Sequence, residues 1–293
     1  MIERLYYTNA QGQTIELSVQ SDFHVNVSRD VEGMNDVNCK VNTATTMGRD
    51  GERFLSSTME ARDIEITGHL RATALARQME LRRQLNHALS PKGRGTLTYV
   101  CGELKRQIDC YAEKSPSYTP GRWPRFMIQL RCPSPFWRET HEREVPVVTW
   151  TGSMEFDEDS GLELGGTWEI GARSAERIVT VENTGDVPGG MAVVFIAQGA
   201  VVNPYLTNAQ TQETIRLKTS MQAGDQIVVT TGYGQKEAVL VRACVRTSIF
   251  RLLAAESVFL QLETGENLLA FGAQSGEDNL NVTVRHTNEY VGV

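Results

Sequence analysis

Between Trp150 and Trp168 the chain carries Glu155, Asp157, Glu158, Asp159 and Glu163, the densest run of carboxylates in the sequence. Asp157-x-Asp159-x-Gly161 imitates the opening of a calcium loop. The glycine arrives one position early, and the place of the closing glutamate holds Trp168, so the pattern reads as a solvated acidic turn. A paired-carboxylate glycosidase needs an acid and a nucleophile at a set separation. Glu142, Glu144, Glu155 and Asp157 are the candidates, and nothing in their spacing fixes such a pair. His141-Glu142-Arg143-Glu144 lacks the second histidine of a zinc protease pair. There is no phosphate loop and no Gly-x-Ser-x-Gly elbow. The histidines, at 24, 69, 87, 141 and 286, are scattered and read as structural. Cysteines at 39, 101, 110, 132 and 244 form no metal knuckle and read as small buried hydrophobes. The expectation is a protein that is not an enzyme and needs no cofactor or metal.

Aromatic side chains offer a different chemistry, stacking on sugar rings or on a partner. Trp150, Phe156, Trp168, Tyr205 and Tyr233 are the candidates. Tyr205 and Tyr233 are the ones taken forward for ligand or partner docking, Tyr233 because it stands between Gly232 and Gly234.

The elements that must position these residues are mostly strands. In Arg125–Trp137, RFMIQLRCPSPFW, the residues Phe126, Ile128, Leu130 and Cys132 alternate with polar neighbours, the period of a strand with one buried face. Pro133 and Pro135 end the ladder, and Phe136 and Trp137 follow as an aromatic anchor. Charge changes sign there: residues 1–140 hold 19 Lys+Arg against 16 Asp+Glu, and 141–293 hold 10 against 20. The reading is an N-terminal domain over 1–138, a linker with peripheral strands over 139–177, and a β-sandwich over 178–293. The first domain has one helix, Ala72–Leu89, with Leu75, Met79, Leu81, Leu85 and Leu89 on its apolar face. The second has short strands with frequent turn signals. No apolar run is long enough for a membrane span, no secretory signal precedes the first strand, and the acidic balance argues against gripping nucleic acid.

Arg29–Ala61 is long, polar and without clear periodicity, and reads as a loop. Its apolar residues Val37, Val41, Met47, Phe54 and Leu55 lack a home in a monomer. They are the predicted inter-subunit contacts of an arm.

Several segments occur in an order that resembles the distal tail proteins of siphophages, the tail and baseplate hub family. They are the ending CPSPFW, the turn Gly48–Gly51 before DIEITGHL at Asp63–Leu70, and LNHALSPKGRGTLTY at Leu85–Tyr99. In the second domain they are ENTGD at Glu182–Asp186, NPYLTN at Asn203–Asn208, AGDQIVV at Ala223–Val229 and LETGENLLAF at Leu262–Phe271. The resemblance implies a mainly β chain whose sandwich is galectin-like or like a carbohydrate-binding module. It also implies a virion protein, made in the host cytoplasm, that forms a homo-hexameric ring at the tail tip. Expected partners are the tail tube protein, the tail-associated hub or lysin protein and receptor-binding proteins, with DNA passing through the channel without specific binding. Two alternatives stay open: a carbohydrate-binding adhesin of the tail tip, and a tail-tube or minor tail protein with a decorating sandwich.

Overall fold

Alternation along Arg125–Cys132 does what its period requires, burying Phe126, Ile128, Leu130 and Cys132. A computed structural model describes residues 2–48, 50–147, 150–152, 171–173 and 178–293. They fall into two units, Met1–Thr140 with Glu289–Val293, and His141–Asn288. The cluster Glu155–Glu163, Phe156 and Trp168 lie outside the described residues, as does the side chain of Trp150.

In the first unit, Arg125–Cys132 pairs with Arg62–Leu70 on one side and with Leu104–Ala112 on the other. From Arg62–Leu70 the pairing runs through Phe23–His24, Thr14–Ser18, Glu3–Asn9 and Arg94–Cys101 to Leu104–Ala112. The path returns to its start, so these strands form a closed barrel. Closure gives every member strand a neighbour on both sides, though three of the contacts are only two residues long. Leu5, Leu17, Ile64, Ile66, Leu97 and Ile108 fill the interior.

The helix spans Leu75–Ala88 and buries Gln78, Leu81, Leu85 and Ala88. Leu75 and Met79, expected on its apolar face, are exposed instead. The buried stripe follows Gln78, whose amide donates to the Ala72 carbonyl at 2.9 Å and fixes how the helix is rotated against the barrel. Trp137 is fully buried, and its indole N–H donates to the Met34 carbonyl at 3.0 Å. Glu289–Tyr290 pairs with Trp137–Glu139, so a segment grouped by sequence with the sandwich completes the barrel unit.

The second unit is two packed sheets. One runs in the order Arg143–Pro146, Leu280–His286, Met191–Ala197, Gln226–Thr230, Glu237–Arg242, Val245–Ser248. The other runs Ile178–Asn183, Gly265–Ser275, Val201–Asn208, Thr214–Arg216. Phe195, Ile227 and Val284 from the first meet Val181, Leu206 and Phe271 from the second in one core. The described residues are thus mainly β throughout.

In this unit the segments ENTGD, NPYLTN, AGDQIVV and LETGENLLAF mark buried polar side chains that staple turns. Asn183 of ENTGD accepts from the Gly185 N–H at 2.9 Å and donates to the carbonyls of Val187 and Leu262 at 3.1 and 3.0 Å. Asn208 of NPYLTN accepts from the Gln210 N–H at 2.9 Å. Asp225 of AGDQIVV accepts from the Gln222 N–H at 2.7 Å and pairs with Arg242. The Arg242 guanidinium and this N–H hold the Asp225 carboxyl below the usual carboxylate range, against the effect of burial. Asn267 of LETGENLLAF accepts from the Glu263 N–H at 2.9 Å and donates back to the Glu263 carbonyl at 2.7 Å. All four are buried. A buried amide or carboxylate with its bonds made is costly to replace, which ties these residue types to their turns.

Candidate assembly surfaces

Arg29–Ala61 is not a loop. After a helical turn at Val27–Asp30 and a short strand at Val31–Glu32, it forms the hairpin Cys39–Thr45 with Glu52–Met59. Both strands are exposed almost throughout. With water on both faces, nothing forces the polar alternation by which a strand is recognised. The register sets Cys39 opposite Met59, Val41 opposite Ser57 and Thr43 opposite Phe54, with a shift between Asn42 and Thr43 that leaves Leu55 as an extra residue. The pairing sets Cys39, Val41, Thr43, Phe54, Ser57 and Met59 on one face and Lys40, Asn42, Ala44, Arg53, Ser56 and Thr58 on the other, with Leu55 as the unpaired residue at the bulge. Val41 is 54% exposed and Phe54 62%. Met47 is fully exposed beside Gly48 at the tip, and Val37 is half-buried at the root. The sequence omitted Cys39 and Met59 from this set, and the register brings them in.

The root of the hairpin is tied to the barrel by Arg62, which the sequence reading passed over. It is fully buried and makes no ion pair among the described residues, although the charge of nearby Asp36 acts on it. Its guanidinium donates to the carbonyls of Pro135 and Gly33 at 2.8 Å, Met34 at 2.6 Å, and Val291. Burial pulls its pKa below the ordinary arginine value. A planar group with five donors suits a place where carbonyls of separate segments converge. The signal was present: Arg62 is in phase with Ile64, Ile66 and Leu70, the buried positions of its strand. Beside it Gly33 has φ +83°, and a Cβ there would run into the Asp63 backbone, so the chain turns into the arm only with glycine.

His24 and His69 face each other across paired strands. With Arg71 and Trp123 they line a shallow hollow of about 380 Å³. The His24 Nδ1 lies 3.0 Å from the Val19 carbonyl, and Arg71 donates to that carbonyl at 3.1 Å. Among the described residues no group of three or more His, Cys, Asp or Glu could hold a metal. Glu142 is exposed, and Glu144 pairs with Arg285 at 3.2 Å. Cys110 and Cys132 are buried as expected, and a hydrogen bond with Cys132, together with burial, pushes the Cys110 thiol up. Cys39 and Cys244 are exposed, against expectation, because both stand on hairpins that face water.

Two family models match. One, described as a phage tail protein RIFT-related domain, covers residues 10–132. The other, described as the C-terminal domain of a siphovirus-type tail component, covers residues 184–290. The chain belongs to the siphophage distal tail protein family. Its fold is similar to that of the SPP1 Dit protein, described as a paradigm of the hub adsorption apparatus in phages infecting Gram-positive hosts. That likeness has a TM-score of 0.68 at 14% identity and covers 97% of this chain and 98% of that one. It is also similar to a chain of the phage P2 baseplate in its activated conformation, with calcium (TM-score 0.56, 13% identity) and with strontium (0.55, 12%), each over 100% of both chains. No curated protein matches in sequence.

In this distal tail protein the two tyrosines picked out for docking differ. Tyr205 is half-buried, with Arg216 stacked 5.0 Å from its ring centre. Its ring also lies against Gly272, its cross-strand partner, where a Cβ would collide. Both faces are thus in use within the sandwich. Tyr233 is 86% exposed, with the Lys236 ammonium 5.5 Å from its ring centre.

Proposed function

We propose that this protein is the structural hub of a siphophage tail tip. Six copies close into a ring that joins the tail tube to the host-recognition apparatus and leaves a channel for DNA. The barrel units form the ring, and the sandwiches dock further tail proteins. The role is geometric, with no catalysis. The observation that carries the reading is the exposed hairpin face that carries Val41, Phe54 and Met59, with Leu55 exposed at its bulge, beside a closed barrel. A soluble monomer has no use for such a face, and a neighbouring copy covers it. A heterologous contact of this kind, hairpin on neighbour, generates a closed ring when its rotation closes.

Native mass spectrometry of the purified protein, alone and with its tail tube protein, is expected to show six copies. Val41→Ala combined with Phe54→Ala is expected to leave a folded monomer with unchanged circular dichroism. Truncating a buried aromatic costs about 3–5 kcal/mol, and the ring repeats that loss at each interface. Assembly unaffected by the double substitution overturns the arm, and a wild-type chain that stays monomeric with its tube protein overturns the ring.

A further inference from the structure

The sandwich has an open edge at Val245–Ser248, the end strand of its larger sheet. The strand hangs on Glu237–Arg242 through a two-residue turn, Ala243–Cys244, in which both residues have positive φ, 48° and 63°. In a hairpin with such a turn the flanking pair, Arg242 with Val245, exchanges hydrogen bonds, and the pattern repeats at every second pair. Leu240 with Thr247 is the next such pair, and the Ile249 N–H continues it, donating to the Ala238 carbonyl at 2.8 Å. Arg246 and Ser248 therefore point their main-chain N–H and C=O groups outward. No described strand receives them, and all four residues of the strand are exposed. Val245 is 63% exposed.

What surrounds this edge selects a partner. Residues 141–293 carry 10 cations against 20 anions, yet Lys236–Arg251 holds four cations and one anion. Arg242 is committed to Asp225. Lys236, Arg246 and Arg251 have no ion pair among the described residues. At the far end of the strand lies an aromatic step. Phe250 stacks on Phe259 at 5.8 Å, and the Lys236 ammonium lies 4.9 Å from the Phe259 ring centre and near Tyr233.

We propose that Val245–Ser248 is a docking edge onto which another tail protein adds an extended, acidic segment as a further strand. Main-chain bonds to Arg246 and Ser248 supply the pairing, the cations select acidic side chains, and Phe250 with Phe259 takes an apolar residue beyond the strand end. A second copy of this chain is the wrong occupant, because self-pairing sets two cationic edges against each other. The inference rests on the hub reading and names how the sandwich recruits.

The test is amide exchange at Arg246 and Ser248, in the isolated protein and in intact tails, with a photo-crosslinking residue at Thr247. Exchange at both amides is expected to slow at least a hundredfold in tails, and the crosslink to land on an acidic extended segment of a different protein. Ser248→Pro removes only an outward N–H, and Arg246→Glu only reverses a charge. Ser248→Pro, read at the Arg246 amide because proline has none to exchange, and Arg246→Glu, read at both amides, are each expected to abolish the protection while the ring persists, and Ser248→Ala to preserve it. Equal exchange in tails and isolated protein overturns the docking edge, as does a crosslink solely to this same chain. Protection that survives Arg246→Glu overturns the acidic partner. Absence of the chain from tail tips would instead overturn the hub reading, so the two failures stay distinct.

Discussion

The barrel and the sandwich are both built from antiparallel strands over one apolar core, yet they leave different surfaces for assembly. The barrel closes on itself, from Arg125–Cys132 round to Leu104–Ala112 and back. Its strands spend most of their pairing on one another, and the hairpin Cys39–Met59 stands outside that closed path; under the proposed hub reading it is what the barrel offers a neighbour. The sandwich keeps its sheets open and ends one of them in Val245–Ser248. Under that reading, closure trades recruitment by strand pairing for recruitment by side chains on an arm.

The comparison breaks or sharpens most with Arg62. Replacement by methionine leaves the carbonyls of Gly33, Met34, Pro135 and Val291 without their shared donor. Each buried unsatisfied acceptor costs about 1–3 kcal/mol, so Arg62→Met should lower barrel stability by at least about 3 kcal/mol. Calorimetry is expected to show the barrel transition falling by roughly 6–12 °C with the sandwich transition in place. An equal fall in both would mean the units do not hold their stability separately.

Asn267→Ala is the counterpart in the sandwich. It removes both halves of the reciprocal bond with Glu263 and should cost about 1–3 kcal/mol. The loss is expected in the sandwich transition alone, with ring formation intact. A barrel transition that moves as far would contradict that independence.

The smallest effect belongs to Glu289. Burial raises its carboxyl pKa above the ordinary 4.5, partly countered by Arg138. The folded form holds that proton more tightly than the unfolded chain, so ionisation weakens the barrel as pH rises through the raised value. Glu289→Gln should therefore add less than about 1 kcal/mol near neutral pH. Denaturant titrations below about pH 4.5 should show no difference from the unsubstituted protein. A benefit that persists in acid would place its origin elsewhere than in the charge.

Barrel strands and sandwich turns were legible in the sequence because each has one wet and one dry face, or a turn whose buried side chain must be Asn or Asp. Arg125–Cys132 alternates for the first reason, and Asn183, Asn208, Asp225 and Asn267 are fixed for the second. The arm was legible only as a set of stranded apolar residues. Its strands face water on both sides, and an unbroken register would set Phe54 opposite Ala44, away from Val41; only the shift between Asn42 and Thr43 brings the two to one face. Arg62 was hidden by its type, since an arginine at a strand start reads as surface until its phase with Ile64 is counted. Leu75 and Met79 misled because helical spacing fixes a stripe but not its rotation against the barrel.

The bond from Arg62 to Val291 spans 229 positions of chain. At about 5–20 residues per second, a ribosome takes roughly 10–45 s to pass from one to the other. Through that interval the nascent barrel holds a guanidinium short of one acceptor, with the floor of the arm unfinished while the whole sandwich is made. A chain that stops short of residue 291 carries this defect permanently, at the place where the arm must be held firm. The root of the hairpin thus takes its last hydrogen bond only once the C-terminal residues have been made.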